Sequence, residues 1–265
     1  MGSTEAHLDP TDAELPSRSA PRGYVDYERV AALYRRGRSL PPEVLKRWGD
    51  AVRPYVPADV SVVVDVGAGT GVFTDAWSDW TGASVVAVEP AAAMVKASTA
   101  TQPSVTFVRA VAEALPIRDD QAGVIWVSAA LHHFADVERA TAEFRRVLCP
   151  GGRVLLRTYL PGRTESSWAE KFPGKSKWLR RFHAEDELRA MFSAAGFDLR
   201  ELVEVLEWRE SYAASAQWVS TMRHADSMLT ALSDAEIAEG LDALHSEPER
   251  VGRIEQTLLV FEPNG

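Results

Sequence analysis

The chain has 265 residues, 46% of them apolar and 25% charged, a globular balance that excludes a disordered or fibrous protein and allows one full α/β domain with a sizeable core. A formal charge of -9 offers no broad basic field for a phosphate backbone, which argues against nucleic acid as a partner. The single cysteine, Cys149, excludes an internal disulfide and a cysteine metal cage and fits a reducing, cytoplasmic setting. There is no apolar run of about 18 residues, the length a membrane span needs. The N-terminus carries Glu5, Asp9, Asp12 and Glu14 where an export signal would be basic and then apolar, so neither membrane nor export is expected.

In chain order, residues 1–22 combine Pro10, Pro16 and Pro21 with Ser, Thr and acidic residues. They show no apolar period and are expected to form a disordered tail. Over 23–56, Val30, Leu33 and Tyr34, then Val44, Leu45, Trp48 and Val52, recur at helical spacing on either side of the Gly37–Pro42 break, predicting two helices and a turn. Short apolar runs follow at Val60–Val66, Ser84–Val88, Val105–Val108, Gly123–Ser128 and Gly152–Thr158, alternating with helical stretches at Val72–Trp80, Ala91–Ala100 and Val137–Leu148. Strands alternating with helices predict a parallel sheet. A helix over Glu185–Ala195 stops at Gly196, and strands are predicted over Phe197–Glu207 and Arg253–Phe261. The roughly forty residues between those strands, about 209–250, far exceed a hairpin loop and predict a helical cap insertion. Within it, Ser233 and Glu236 have capping-box spacing.

The most informative stretch is Val62-Val63-Val64-Asp65-Val66-Gly67-Ala68-Gly69-Thr70-Gly71, a buried strand running into a glycine turn and then a helix. Glycines allow the backbone to turn at positive φ and to approach a ligand with no Cβ in the way. The ligand should lie beyond the carboxyl ends of the strands. A dinucleotide turn has the spacing Gly-x-Gly-x-x-Gly, whereas this one is Gly67-x-Gly69-x-Gly71. The second strand ends in Glu89-Pro90, where a carboxylate can accept hydrogen bonds from a ribose diol.

With Asp65 ahead of it, this turn resembles motif I of class I S-adenosylmethionine-dependent methyltransferases. Ala112-Glu113-Ala114-Leu115-Pro116-Ile117, Leu131-His132-His133-Phe134 and Leu148-Cys149-Pro150-Gly151-Gly152 are similar, in order, to later motifs of the small-molecule (methyltransferase type 11-like) branch. The resemblance covers about residues 24–262. It implies a Rossmann-like, seven-stranded, mainly parallel sheet with helices on both faces and an antiparallel last strand, over residues 57–265, preceded by an N-terminal helical lid at 23–56. It also implies methyl transfer from S-adenosylmethionine, leaving S-adenosylhomocysteine, to a small, apolar or aromatic acceptor in specialised metabolism. A non-catalytic S-adenosylmethionine-binding scaffold and an NAD-dependent oxidoreductase are the other readings, the latter disfavoured by the glycine spacing.

By the same resemblance, Gly67, Ala68 and Gly69 approach the amino acid and ribose of the cofactor, Glu89 takes the ribose hydroxyls beside Pro90, Met94 packs near the adenine, and Ser128 lies at the cofactor. The family usually has Asp before its Ala-Glu pair; this chain has Val111, which leaves the adenine to Ala112 and Glu113. Tyr34 and Arg38 are candidates for the methionine carboxylate, since Arg pairs with it through two parallel hydrogen bonds; a solvated arginine face is the alternative. Tyr24 is expected at the cofactor and Tyr27 at the acceptor, with core packing as the alternative for both. His132 and His133 follow the fourth strand and are candidate bases, His133 foremost, or else only shape the site. Arg157, Tyr159, Trp168, Phe172, Trp178, Trp218 and Met222 are candidate acceptor contacts, against the alternatives of an acidic partner for Arg157 and core packing for the rest. No metal is expected, because His7, His183, His224 and His245 are scattered without ligand spacing.

Overall fold

A computed structural model of the chain describes residues 27–98 and 100–264; the expected tail at 1–22 and Tyr24 lie outside the described residues. Five short runs rich in Val, Ile and Leu form parallel strands β1 (Val62–Val66), β2 (Ser84–Val88), β3 (Val105–Val108), β4 (Ala122–Ser128) and β5 (Leu148–Thr158). With β6 (Phe197–Ser211) and β7 (Val251–Pro263) they give one seven-stranded sheet of order β3-β2-β1-β4-β5-β7-β6. β7 runs antiparallel to both its neighbours. The chain leaves β1 towards β2 and β3, then returns to the other side of β1 as β4. That reversal opens a crevice beyond the carboxyl ends of β1 and β4, where open α/β sheets hold ligands.

Side chains alternate between two apolar layers, as the period of two requires. Val64, Val66, Ile125, Val127 and Leu156 pack against Phe144 of α5 (Val137–Val147) and Leu188 and Phe192 of α7 (Glu185–Ala194). On the opposite face, Val63, Val124, Trp126 and Leu155 meet Trp48 of α2 (Pro42–Val52), Phe73, and Trp77 of α3 (Thr74–Thr81). The Trp126 ring centroid lies 5.1 Å from Phe73, 5.4 Å from Trp77 and 5.9 Å from Trp48, all edge-on. Edge-to-face aromatic pairs add about 0.5–1.5 kcal/mol each beyond area burial, so this cluster fixes α2 and α3 on the sheet.

The helical boundaries have local causes. α1 (Tyr27–Arg38) ends before the Pro41-Pro42 pair, and Pro42 opens α2, where its missing N–H is not needed. The helix expected over Ala91–Ala100 is shorter: α4 spans Ala92–Lys96. Asp75 captures the Thr101 N–H and hydroxyl, each at 2.8 Å, and draws the chain out of helical geometry.

β6 and β7 stay paired as far as Ser211↔Val251 and so form a long ribbon. Between them lie α8 (Tyr212–Met222) and α9 (Asp234–His245), the latter opened by the Ser233–Glu236 capping box. Together with α6 (Lys175–Leu179) they enclose a third cluster containing Tyr159, Trp168, Phe172, Trp178, Tyr212 and Met222. Among the described residues no helix is long and apolar enough to cross a membrane.

The ribbon reaches back to the sheet through a bulge. The β6–β7 register shifts between Leu206 and Trp208, and a bulge re-aims the side chain it displaces. Glu207, thus turned inward, accepts from Trp48 Nε1 at 2.8 Å and from Arg157 Nε at 2.8 Å, and pairs with Arg157 Nη2. Glu207→Ala would strand a buried guanidinium and is expected to cost about 3–5 kcal/mol. Glu204→Ala, exposed on the same strand, should change stability by less than about 0.5 kcal/mol. Chemical denaturation separates the two, and equal costs would contradict the assignment.

Candidate active site

At the end of β1 the backbone enters the left-handed region three times, with φ of +72° at Gly67, +57° at Gly69 and +84° at Gly71. Only glycine takes this conformation without steric cost. A Cβ on Gly67 would also stand 2.5 Å from the Ala130 Cβ, so the glycine loop touches the chain leaving β4. The loop is pinned to the end of β2. Gly67 and Ala68 donate to the Val88 carbonyl at 2.8 and 3.1 Å, and Gly69 donates to Glu89 Oε2 at 2.9 Å. Glu89 Oε1 accepts from Ala91 N at 2.9 Å, and the carboxylate is 7% exposed.

Behind it, on β1, Asp65 is 2% exposed. Burial, reinforced by the charge of Glu89, pushes its pKa up to about 8. Asp65 is therefore a neutral acid at pH 7.

Past β4, Ala129 holds a positive φ of +51°, with its N–H donated to the Arg157 carbonyl at 2.8 Å. A left-handed non-glycine residue is costly and marks a turn held by its surroundings. It carries the chain into a single 3-10 turn, Leu131–His133, at the carboxyl edge of the sheet. The two histidine rings lie 3.9 Å apart, and His132 is also 4.5 Å from Phe182. Among the described residues the buried His132 Nε2 has no hydrogen-bond partner. Burial holds the His132 pKa well below the usual imidazole value, helped by His133 and Arg38. Crowding by protein, then Arg181 and Arg38, lowers His133 to about 4, opposed by Asp226. Its ring nonetheless stays open to solvent, the combination expected of a group lining a concavity.

α1 forms the roof of this concavity. The Tyr34 ring would lie 3.7 Å from a Cβ on Gly69. Tyr27 packs edge-on against Tyr34 at 5.5 Å, and its hydroxyl is 3.0 Å from His133 Nε2. Arg38 pairs with Asp226 and lies 5.7 Å from the ring centroids of both Tyr34 and Trp218, while among the described residues its buried Nε–H has no acceptor. Leaving such a donor unsatisfied costs about 1–3 kcal/mol.

The structure thus gathers Tyr27, Tyr34, Arg38, Gly67, Ala68, Gly69, Glu89, His132 and His133 around one crevice. Met94 and Ala112 are buried in the adjoining core, and Pro90 is exposed with its carbonyl accepting from Arg109. Other expected residues are committed elsewhere. Glu113 Oε1 accepts from Ala135 N and Asp136 N at 2.7 and 3.0 Å, so its carboxylate ties down the turn after His133. Arg157 serves the fold through Glu207 and donates to Ser128 Oγ at 3.2 Å. Tyr159, Trp168, Phe172, Trp178 and Met222 are buried in the third cluster. Trp218 donates from Nε1 to the Gly37 carbonyl at 3.0 Å, fastening α8 to α1. For these, packing and internal hydrogen bonds replace the expected acceptor contacts.

Asp226 was not foreseen. Its only sequence signal is an acid set among Met222, Ala225, Met228 and Leu229, where an unpaired charge would be costly.

Residues 64–156 match the family described as methyltransferase domain. Over that segment the chain carries a methyltransferase domain. An uncharacterized methyltransferase of Mycobacterium tuberculosis is 38% identical over 131 residues, 49% of this chain and 50% of that one; the chain thus spans about half the length of this curated relative. The crystal structure of an antibiotic-biosynthesis-pathway protein of Anabaena variabilis shares the fold, with a TM-score of 0.65 and 19% identity over 82% of this chain and 97% of that one. A Haemonchus contortus N-methyltransferase, solved with phosphomonomethylethanolamine and S-adenosylhomocysteine, has a TM-score of 0.54 and 12% identity over 82% of this chain and 52% of that one.

The residues of the methyltransferase domain fit such a nucleoside. Gly67 and Gly69 present backbone without Cβ atoms, Glu89 places a carboxyl group at the edge of the loop, and among the described residues the buried Arg38 Nε–H has no acceptor.

The buried acid makes stability depend on pH. A carboxyl whose folded pKa is raised loses stability as pH climbs from its unfolded value of about 4 to its folded value, here about 8. Asp65→Asn is therefore expected to gain melting temperature over the wild type at pH 8.5, with the gain shrinking towards pH 5. A pH-independent difference in thermal melts would contradict a neutral Asp65.

Proposed function

We propose that the chain transfers a methyl group from S-adenosylmethionine to a small organic acceptor. The observation that carries this reading is the Glu89 carboxylate held against Gly69 N at the reversal point of the sheet, beneath the Tyr34 ring. A carboxylate at this place, at the end of β2 and against the glycine loop, is the acceptor chemistry that suits a ribose diol. Gly67–Gly69 would flank the amino-acid portion, Arg38 and Tyr34 would receive its carboxylate, and Met94 and Ala112 would border the adenine. The bound cofactor supplies a methyl group already activated on a sulfonium.

The chain's own work is then positioning, which is worth about 7–11 kcal/mol when reacting atoms are held in line at contact distance. His133 is a weak proton sink with a pKa of about 4, far from the neutral value that favours a general base. It stays uncharged at physiological pH and acts as a fixed hydrogen-bond acceptor, orienting an acceptor hydroxyl or amine together with the Tyr27 hydroxyl. The neighbouring His132 and Phe182 rings offer a flat face suited to an aromatic or apolar acceptor. The long β6–β7 insertion is in keeping with specialised metabolism.

Isothermal calorimetry with S-adenosylhomocysteine, S-adenosylmethionine and NAD tests the donor. The two adenosyl ligands should bind, NAD should not, and Glu89→Ala should weaken S-adenosylhomocysteine about 100-fold, the equivalent of two charge-assisted hydrogen bonds. Preference for NAD, or unchanged affinity in the variant, would overturn the reading. The role of His133 is checked by imidazole NMR: its resonances should keep their neutral positions down to about pH 5, one unit above the lowered value. A midpoint near 6.5 would restore a proton-accepting histidine.

A further inference from the structure

We propose that Asp226, on the insertion between β6 and β7, is a positioning residue that holds Arg38 ready for the carboxylate of the donor's methionine portion. This rests on the donor reading above and goes beyond it, because Asp226 lies outside the matched methyltransferase segment at 64–156 and belongs to the β6–β7 insertion.

Asp226 is 4% exposed and its two oxygens have separate tasks. Oδ1 accepts from Met228 N at 2.8 Å and Leu229 N at 3.2 Å, which fixes the carboxylate to its own turn. Oδ2 pairs with Arg38 Nη2. The guanidinium is further bounded by the Tyr34 and Trp218 rings. Gly37, next in the chain, is packed so closely on Met222 that a side chain there would collide with the Met222 sulfur, and its carbonyl takes the Trp218 N–H. These contacts fix the main chain at Arg38 where α1 meets α8. Among the described residues the buried Nε–H of Arg38 has no acceptor. A guanidinium carries five donors in a rigid fork, so one carboxylate can hold it while another is received. An aligned fork loses little freedom on binding, which is what preorganisation contributes to affinity. Asp226 also balances the charge of Arg38 while no ligand is present.

The ligand pair that isolates this effect is S-adenosylhomocysteine and 5′-methylthioadenosine, which share the nucleoside and thioether but differ in the amino-acid end. In the full-length wild type, calorimetry should show S-adenosylhomocysteine binding more tightly. Asp226→Asn keeps the shape and the Oδ1 contacts but loses the charge. It should weaken S-adenosylhomocysteine about tenfold, the size of one charge-assisted hydrogen bond, and leave 5′-methylthioadenosine within about twofold, in the range of a neutral surface change. Retained 5′-methylthioadenosine binding also reports that the cleft is intact.

Arg38→Lys, which keeps the charge but has no Nε–H fork, should lose the same preference. In that background Asp226→Asn should have no further effect on S-adenosylhomocysteine, since the two act through one contact. Equal weakening of both ligands makes Asp226 merely structural and overturns the proposal. Tighter S-adenosylhomocysteine binding in Asp226→Asn overturns it too, because Asp226 would then be a competitor for Arg38. Independent losses in both backgrounds overturn it as well. A wild type that binds neither ligand instead removes the donor reading on which the proposal stands.

Discussion

The hydrogen bond from Gly69 N to the Glu89 carboxylate is the constraint on which the rest of the site depends. Three left-handed residues in a row of five form a turn with one backbone hydrogen bond of its own, from Gly71 N to the Ala68 carbonyl at 2.9 Å, and its other N–H groups must be taken up nearby. The end of β2 does this, through the Val88 carbonyl and the Glu89 side chain. Glu89 is 7% exposed, and a buried carboxyl group needs such donors in return. Next door, burial and the neighbouring Glu89 raise the Asp65 pKa to about 8. Two acids thus lie side by side under the loop, Glu89 bonded to its backbone and Asp65 neutral and buried.

Everything above that floor is supplied by elements outside the sheet's central strands. α1 lays Tyr34 over the glycine loop and Tyr27 against His133, and is itself fastened at its C-terminal end to α8 and Asp226. The insertion in turn rides on the β6–β7 ribbon, whose bulge at Glu207 ties it to Arg157 and Trp48. A contiguous physical path therefore runs from the sheet interior through the ribbon and insertion to the roof of the site. The buried aromatic cluster of the insertion makes that roof a packed body rather than a loose loop, which suits a reaction governed by positioning.

Much of the fold was legible because the strands are short, apolar and separated by turn residues. β2 and β3 match their expected spans, and β1, β4 and β5 differ only at their first residues. The glycine loop and Glu89 were legible because few residue types satisfy that backbone path. What escaped was whatever depends on partners distant in sequence. α4 stops early because Asp75 reaches Thr101. Arg157 turns inward because a bulge fifty residues later presents Glu207, a register shift that no local pattern records. The aromatic residues expected around an acceptor are mostly the core of the insertion, since a helical stripe of Trp, Tyr and Met has the same spacing whether it lines a cavity or fills one. Asp226 lacked any motif, and its meaning comes only from Arg38 beside it.

A crystal structure with S-adenosylhomocysteine tests the central claim most directly. The account predicts the nucleoside beyond the ends of β1 and β4, with both ribose hydroxyls on Glu89 and the amino-acid carboxylate on Arg38 while Asp226 keeps its hold on the guanidinium. A ligand bound away from the glycine loop, or a ribose that leaves Glu89 uncontacted, would contradict it.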